Sequence, residues 1–507
     1  KRGAHIVAVG PAPPSAQHPT PSTSSTQPQR RRRPHTQTPT SQPQHLSTYA
    51  LSSFPALDAI TWQNWSYARL GTTSPPALTK GTTVTENQRG NRLDPWLDSY
   101  AERAAGLRES EVRSLFSVAS RPEVVSLAGG MPNLKDLPMA DIAEATKQML
   151  LRDGYKALQY GNGKGLPQLA EQLTEVMAYE GIEADSANIL ITTGSQQAVD
   201  LITEIMINPG DVVVCEAPSY LGSLGIFRAY EAEVVQSPID ADGVIPQALE
   251  ETFTRLEREG RKVKFFYTIP NYHNPAGVCV SEERRPQIVE ICKRHHVLIV
   301  EDNPYGLLGF DGRTYTSFKN LAPDHVVYLG SVSKIFAPGY RVGWACAPSA
   351  MCEKLKLASE SAILCPTSMG QYSISMYLSE FDWRNQISTF RGMYRSRRDA
   401  MIQALNDYLP MCQWNVPEGG FYTWVKLPQG LDAKDMLPRA VTNLVAYVSG
   451  TAFYANGEGR DHMRLSYCYP NEQDIREGVR RISEVVNRDL ELVSLFGTAK
   501  RPTPGQH

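Results

Sequence analysis

The 507-residue chain has few features that would mark it as secreted, membrane-bound or nucleic-acid-binding. Its eight cysteines form no CxxC pair and no Cys/His set at zinc-ligand spacing, which argues against a disulfide scaffold and a zinc module. No apolar run approaches the ~20 residues of a membrane span. No secretory pattern is visible, so the expected compartment is the cytoplasm, with no membrane and no metal expected. The formal net charge of −2 provides no electrostatic drive toward nucleic acid. Acidic residues are missing before Asp58, where Pro, Ser, Thr and Gln dominate and Arg30 to Arg33 stand together. That stretch admits a targeting or nucleic-acid reading. Its shortage of apolar clusters instead leads us to expect a disordered extension over residues 1–90.

From about Leu93 to Phe496 apolar runs alternate with amphipathic stretches. ILIT (189–192), VVVC (212–215), KFFYT (264–268), VLIVE (297–301), VVYLG (326–330) and VGWAC (342–346) are predicted as buried strands. SQQAVDLITEIMI and SEERRPQIVEICKRH are predicted helices, the second with Ser281 as its N-cap. This alternation predicts an α/β fold with a mostly parallel sheet. After Ser349 helices and short strands take over, ending in a helix with Ile475, Val479, Ile482 and Val486 on one face. The expected organisation is an arm and part of a small domain over 91–140, a large domain over 141–349, a small C-terminal α/β domain over 350–496, and a disordered tail over 497–507.

Ligands in such sheets bind at the carboxyl ends of the strands. The residues following the predicted strands are Thr193, Gly194, Ser195 and Gln196; Tyr220; Asn271, His273 and Asn274; Glu301, Asp302 and Tyr305; and Ser331, Ser333 and Lys334. Any one of these could serve only a turn. Together they suit one ligand. The Thr-Gly-Ser-Gln turn offers free N–H groups to a phosphate, with Ser331, Ser333 and Arg341 as further donors. Tyr220 offers a flat face, Asp302 a carboxylate for a protonated ring nitrogen, and Lys334 a desolvated, nucleophilic amine. A phosphate, a basic ring and an aldehyde together describe pyridoxal 5′-phosphate. The GxGxG of Gly161, Gly163 and Gly165 lacks the spacing of a dinucleotide fingerprint and is expected to be a turn before a helix. His295-His296 is expected to close a helix.

The motifs SLAGGMPN (126–133), LQYGNGKG (158–165), TTGSQQAVD (192–200), EAPSYLG (216–222), PNYHNPAG (270–277), EDNPYG (301–306), SVSKIFAPGYRVGW (331–344) and HMRLSY (462–467) occur in chain order. With them the chain resembles the class I/II aminotransferases of pyridoxal-phosphate fold type I. The similarity is to the 2-aminoadipate and kynurenine aminotransferase branch and the enzyme-like domain of MocR regulators. The resemblance implies a seven-stranded large-domain sheet and Lys334 as the Schiff-base lysine and proton shuttle. It also implies Asp302 on the pyridine nitrogen, Asn274 and Tyr305 on the phenolic oxygen, Tyr220 stacked on the ring, and Ser195, Gln196, Ser331 and Arg341 on the phosphate. Tyr160 would reach the partner subunit's phosphate, making a homodimer with composite sites. Arg464 would grip the substrate α-carboxylate, with Gly130 beside it and Arg113 closing over the substrate. The implied reaction moves an amino group from an L-amino acid to a 2-oxo acid. Decarboxylase, β-lyase and racemase chemistry share these residues, and aromatic, branched-chain and 2-aminoadipate donors all remain open. A MocR-type regulator needs a winged helix-turn-helix, and the text before Leu93 contains no amphipathic helix pair.

Overall fold

The computed structural model describes Asp94, Trp96, residues 99–107 and residues 121–496. The expected N-terminal extension and the 497–507 tail fall outside the described residues. Among the described residues, the first strand is β1 (Val125–Ser126), followed by helices α1 (Met139–Ala157) and α2 (Pro167–Tyr179). Strand and helix then alternate through β2 (Ile189–Thr192), α3 (Ser195–Met206), β3 (Val212–Ala217), α4 (Leu221–Ala229) and β4 (Glu233–Asp240). They continue as β5 (Gly243–Val244), α5 (Pro246–Arg258), β6 (Val263–Thr268), α6 (Arg284–Arg294) and β7 (Leu298–Asp302). The short α7 (Phe318–Leu321), β8 (Val326–Ser331) and β9 (Gly343–Cys346) complete this region. The remainder is α8 (Ser349–Ile363), α9 (Ser368–Glu380), α10 (Trp383–Tyr408), β10 (Gln413–Trp414) and β11 (Tyr422–Lys426). The last elements are α11 (Ala433–Thr442), β12 (Val445–Ala446), β13 (Val448–Ser449), β14 (His462–Ser466) and α12 (Glu472–Phe496).

The main sheet has the order β2-β9-β8-β7-β6-β3-β4-β5. Its centre, β4 to β8, is parallel, while β9 runs antiparallel to both β8 and β2. Helices cover both faces, so the central strands are buried on each side and carry nearly unbroken apolar runs. Seven strands were expected, and among the described residues the sheet has eight. The extra one is the two-residue β5, which pairs with edge strand β4. Strand β4 is half-exposed and has no continuous apolar run, so hydrophobicity alone does not reveal it. The Ser281 cap is also corrected. Helix α6 starts at Arg284, whose N–H closes a turn onto the Ser281 carbonyl, and Glu283 occupies the cap position.

A second sheet has the order β10-β11-β14-β13, and β1 pairs in parallel with β12. Helix α12 packs against α10, with Ile475, Val479, Ile482 and Val486 fully buried, as their spacing predicted. Leu127 donates its N–H to Ala446 and accepts from the Ser466 N–H, so the strap at residues 127–131 is threaded between β12 and β14. This threading delivers Gly130 to the carboxyl ends of the main sheet. The strap's carbonyls there meet Lys334 and Arg464.

Candidate active site

The phosphate-type cradle is built first. Gly194 adopts φ +76° before α3, and no side chain caps that helix, so first-turn N–H groups at Ser195 and Gln196 face outward. Gly343 lies opposite both Ser331 and Thr192, and a Cβ there would fall 2.6 Å from the Ser195 nitrogen. Only a glycine lets β9 bring these strand ends so close. Ser331 donates its hydroxyl to Ser333 at 3.0 Å. Arg341, in the left-handed region at φ +53°, donates to the Thr193 carbonyl at 3.2 Å, so its guanidinium faces the α3 turn.

Strand β7 ends in Asp302, which is 4% exposed. Its Oδ2 accepts from the Tyr267 hydroxyl at 2.7 Å, while Oδ1 is buried without a hydrogen-bond partner among the described residues. Burial pushes this carboxyl up to about 6; the Tyr267 hydrogen bond opposes the shift and the charge of Glu216 adds to it. A buried carboxylate oxygen without a donor is costly. It fits a cationic N–H supplied by a ligand. Tyr220 caps α4, and burial, then Tyr422 and Asp302, push its hydroxyl up to about 12.

Lys334 follows β8. Its Nζ donates to the Gly130 carbonyl at 2.8 Å and lies 5.6 Å from the Phe421 ring centre. Desolvation pulls the amine down to about 8, with Cys468 opposing the shift and the cations Arg464 and Arg341 adding to it. At pH 7 about a tenth is therefore the free, nucleophilic amine, far more than for a lysine in water.

Arg464 comes from β14 and is 3% exposed. It donates to Asn274 Oδ1 at 2.8 Å and to the Ala128 carbonyl at 2.7 Å. Asn274 Nδ2 in turn donates to the Tyr305 hydroxyl at 3.5 Å, and Tyr305 to the Tyr422 hydroxyl at 3.5 Å. The site thus gathers Ser195, Gln196, Tyr220, Asn274, Asp302, Tyr305, Ser331, Ser333, Lys334 and Arg341 at one sheet end, with Gly130 and Arg464 supplied by the strap and the second sheet. Tyr160 stands apart, 77% exposed just beyond α1. Arg113 lies outside the described residues. The GxGxG segment is a turn leading into α2, and His295 caps α6 with its ring between Glu250 and Glu257.

The sequence reading missed several residues. Tyr267 holds Asp302, and Tyr422 lies beside Gly130, Tyr305 and Arg464. Cys468 contributes its thiol to the Met131 carbonyl at 3.1 Å. Glu216 lies 3.0 Å from His273 Nε2 and accepts from Thr268 and the Ile269 N–H, bracing the turn that presents Asn274. Of these, only Glu216 carried a signal, as a charged residue inside an apolar strand.

Residues 122–482 match the family described as aminotransferase class I and II. An aromatic-amino-acid aminotransferase of Thermococcus litoralis is 41% identical over 395 residues, 77% of this chain and 95% of that protein. The 2-aminoadipate transaminase of Thermus thermophilus is 34% identical over 78% of this chain and 99% of its own length. Among solved structures, the kynurenine aminotransferase of Pyrococcus horikoshii superposes with a TM-score of 0.75 at 39% identity. That match covers 79% of this chain and all of the other, which was solved with PMP and kynurenine.

Proposed function

The chain belongs to the class I and II aminotransferases, and we propose that within this family it takes its amino group from aromatic L-amino acids. It is a pyridoxal-phosphate-dependent transaminase acting on an amino acid and a 2-oxo acid. When bound, pyridoxal phosphate supplies an electron sink that makes the substrate Cα proton acidic. The roles of this chain's residues are our reading. Asp302 Oδ1 would receive the ring N–H, and Tyr220 would provide a stacking face. Asn274 and Tyr305 would hold the phenolic oxygen. The α3 turn with Ser195, Gln196, Ser331, Ser333 and Arg341 would hold the phosphate. Arg464 would grip the substrate α-carboxylate beside Gly130. Lys334 Nζ would hold the carbonyl end of the cofactor and move the substrate proton. The observation that carries this reading is the orphan Asp302 oxygen, at the same sheet end as a desolvated lysine and a buried arginine.

The aromatic preference rests on the 41% relative and on the kynurenine aminotransferase likeness, and it suits a site edged by Phe421, Tyr422 and Phe453. Our reading further includes a homodimer with Tyr160 reaching the partner's phosphate. Leu151, Tyr155 and Leu158 on and just beyond α1 are each about three-quarters exposed, an apolar face that a second copy would cover. The proposed compartment is the cytoplasm. Following the cofactor's visible absorbance while single amino acids are added tests the donor class. Phenylalanine, tyrosine, tryptophan and kynurenine should discharge it fastest. A faster response to 2-aminoadipate or leucine overturns the aromatic reading.

A further inference from the structure

Arg464 is a buried guanidinium, and among the described residues no carboxylate forms an ion pair with it. Its Nε also has no hydrogen-bond partner among the described residues. An uncompensated buried charge is costly, so something else must stabilise it before a substrate arrives. The guanidinium carbon lies 4.2 Å from the Tyr422 ring centre and 5.0 Å from that of Phe453. Such distances allow strong cation–π attraction in a desolvated site.

We infer that Tyr422 is a positioning residue for Arg464. Its ring fixes the height and plane of the guanidinium that meets the substrate carboxylate. This rests on the reading of Arg464 given above. The ring is itself held in place. Tyr422 is 2% exposed, and its hydroxyl accepts from Tyr305 and fills the space that a side chain at residue 130 would need. A Cβ on Gly130 would stand 2.2 Å from that hydroxyl oxygen. The Gly130 carbonyl binds Lys334, and the Ala128 carbonyl binds Arg464. Tyr422 is thus wedged between the strap that meets the lysine and the arginine that receives the carboxylate.

The test uses holoenzyme and an unreactive carboxylate, 3-phenylpropionate, with Kd measured by calorimetry. Tyr422→Met removes the ring at similar length and should raise Kd about tenfold. Tyr422→Phe keeps the ring and should stay within about twofold. KM for amino acid and 2-oxo acid should rise by similar factors in the Met variant, while the cofactor absorbance stays unchanged. A series of progressively fluorinated phenylalanines at position 422 keeps the shape while draining the ring of negative charge, and Kd should rise with each fluorine. This series decides the matter if the Met variant misfolds. A Kd that ignores fluorination, or a Met variant with parental Kd, overturns the inference. Arg464→Lys separates the two ideas. If it leaves Kd unchanged, the carboxylate reading fails; if it weakens binding while the Tyr422 variants do not, only the inference fails.

Discussion

Asp302→Asn should make the cofactor-free protein more stable while ruining the loaded enzyme. The buried carboxyl is raised from 3.8 to about 6, chiefly by desolvation. At ~1.36 kcal/mol per unit, holding it ionised costs the folded state about 3 kcal/mol. Above about pH 6 the folded chain carries a buried anion that the unfolded chain would keep in water, and the full cost applies. As pH falls through 6 the folded carboxyl takes up its proton before the unfolded one does. The cost drops to about a third by pH 4.5 and vanishes below 3.8. Asparagine lacks the charge and can still accept from Tyr267. Its amide N–H inherits the want of a partner at Oδ1, so that penalty is common to both proteins. With ~2.1 cal/mol/K per residue over residues 121–496, the gain is a Tm rise of about 4 °C at pH 8. Saturating pyridoxal phosphate should reverse the order, because in the proposed role of Asp302 only the parent would offer an anion to the ring nitrogen. The variant should bind cofactor more weakly and lose most of its kcat, with a smaller change in KM. Differential scanning fluorimetry at pH 8 and 4.5, with and without cofactor, reads all of this. A cofactor-free variant less stable than the parent by the same margin at both pH values would refute the reasoning.

Arg464→Lys keeps a charge but loses the planar fork, and should cost roughly 1.5–3 kcal/mol in substrate binding; steady-state KM shows it, and parental KM for every donor would count against the carboxylate role. The Lys334 amine, pulled down to about 8, should react with an acylating reagent in the cofactor-free protein along a titration curve centred near pH 8, and a midpoint above 10 would place it in water instead. Subunits carrying Lys334→Met and Tyr160→Ala should each be nearly inactive, yet when mixed they should regain about one intact site per heterodimer; no recovery would remove Tyr160 from the composite site. Removing residues 1–90 should leave kcat and KM within about twofold, since the composition of that stretch cannot build a core; a soluble but inactive truncation would show otherwise.

The legible parts of the site follow from burial. Strands β2, β3, β6, β7 and β8 are apolar on both faces, so polar residues at their ends stand out in the text, and Ser195, Asp302, Ser331 and Lys334 were found that way. Strand β4 is only partly buried along its length and has no such run. Tyr267 lies inside a fully buried strand, where an aromatic signals only packing, and its tie to Asp302 spans 35 positions. Tyr422 is set by the pairing of β11 with β14, opposite Ser466, and no local spacing encodes that register. Ser281 was misjudged because a capping serine and a serine opening a turn before the helix look alike in sequence.

The antiparallel insertion of β9 between β2 and β8 also governs how the protein is made. Among the described residues strand β2 pairs with β9 alone, joining Ile189 to Cys346 and Thr192 to Gly343. A ribosome adding ~5–20 residues per second takes about 7–30 s to travel between them. Throughout that interval the segment proposed to cradle the phosphate lacks its β9 partner, and long-range closures of this kind slow folding. The proposed phosphate site would therefore be incomplete in the first half of the nascent chain. A chain stalled before Trp344 emerges would expose ILIT as an unpaired sticky edge to chaperones or to its neighbours on the polysome.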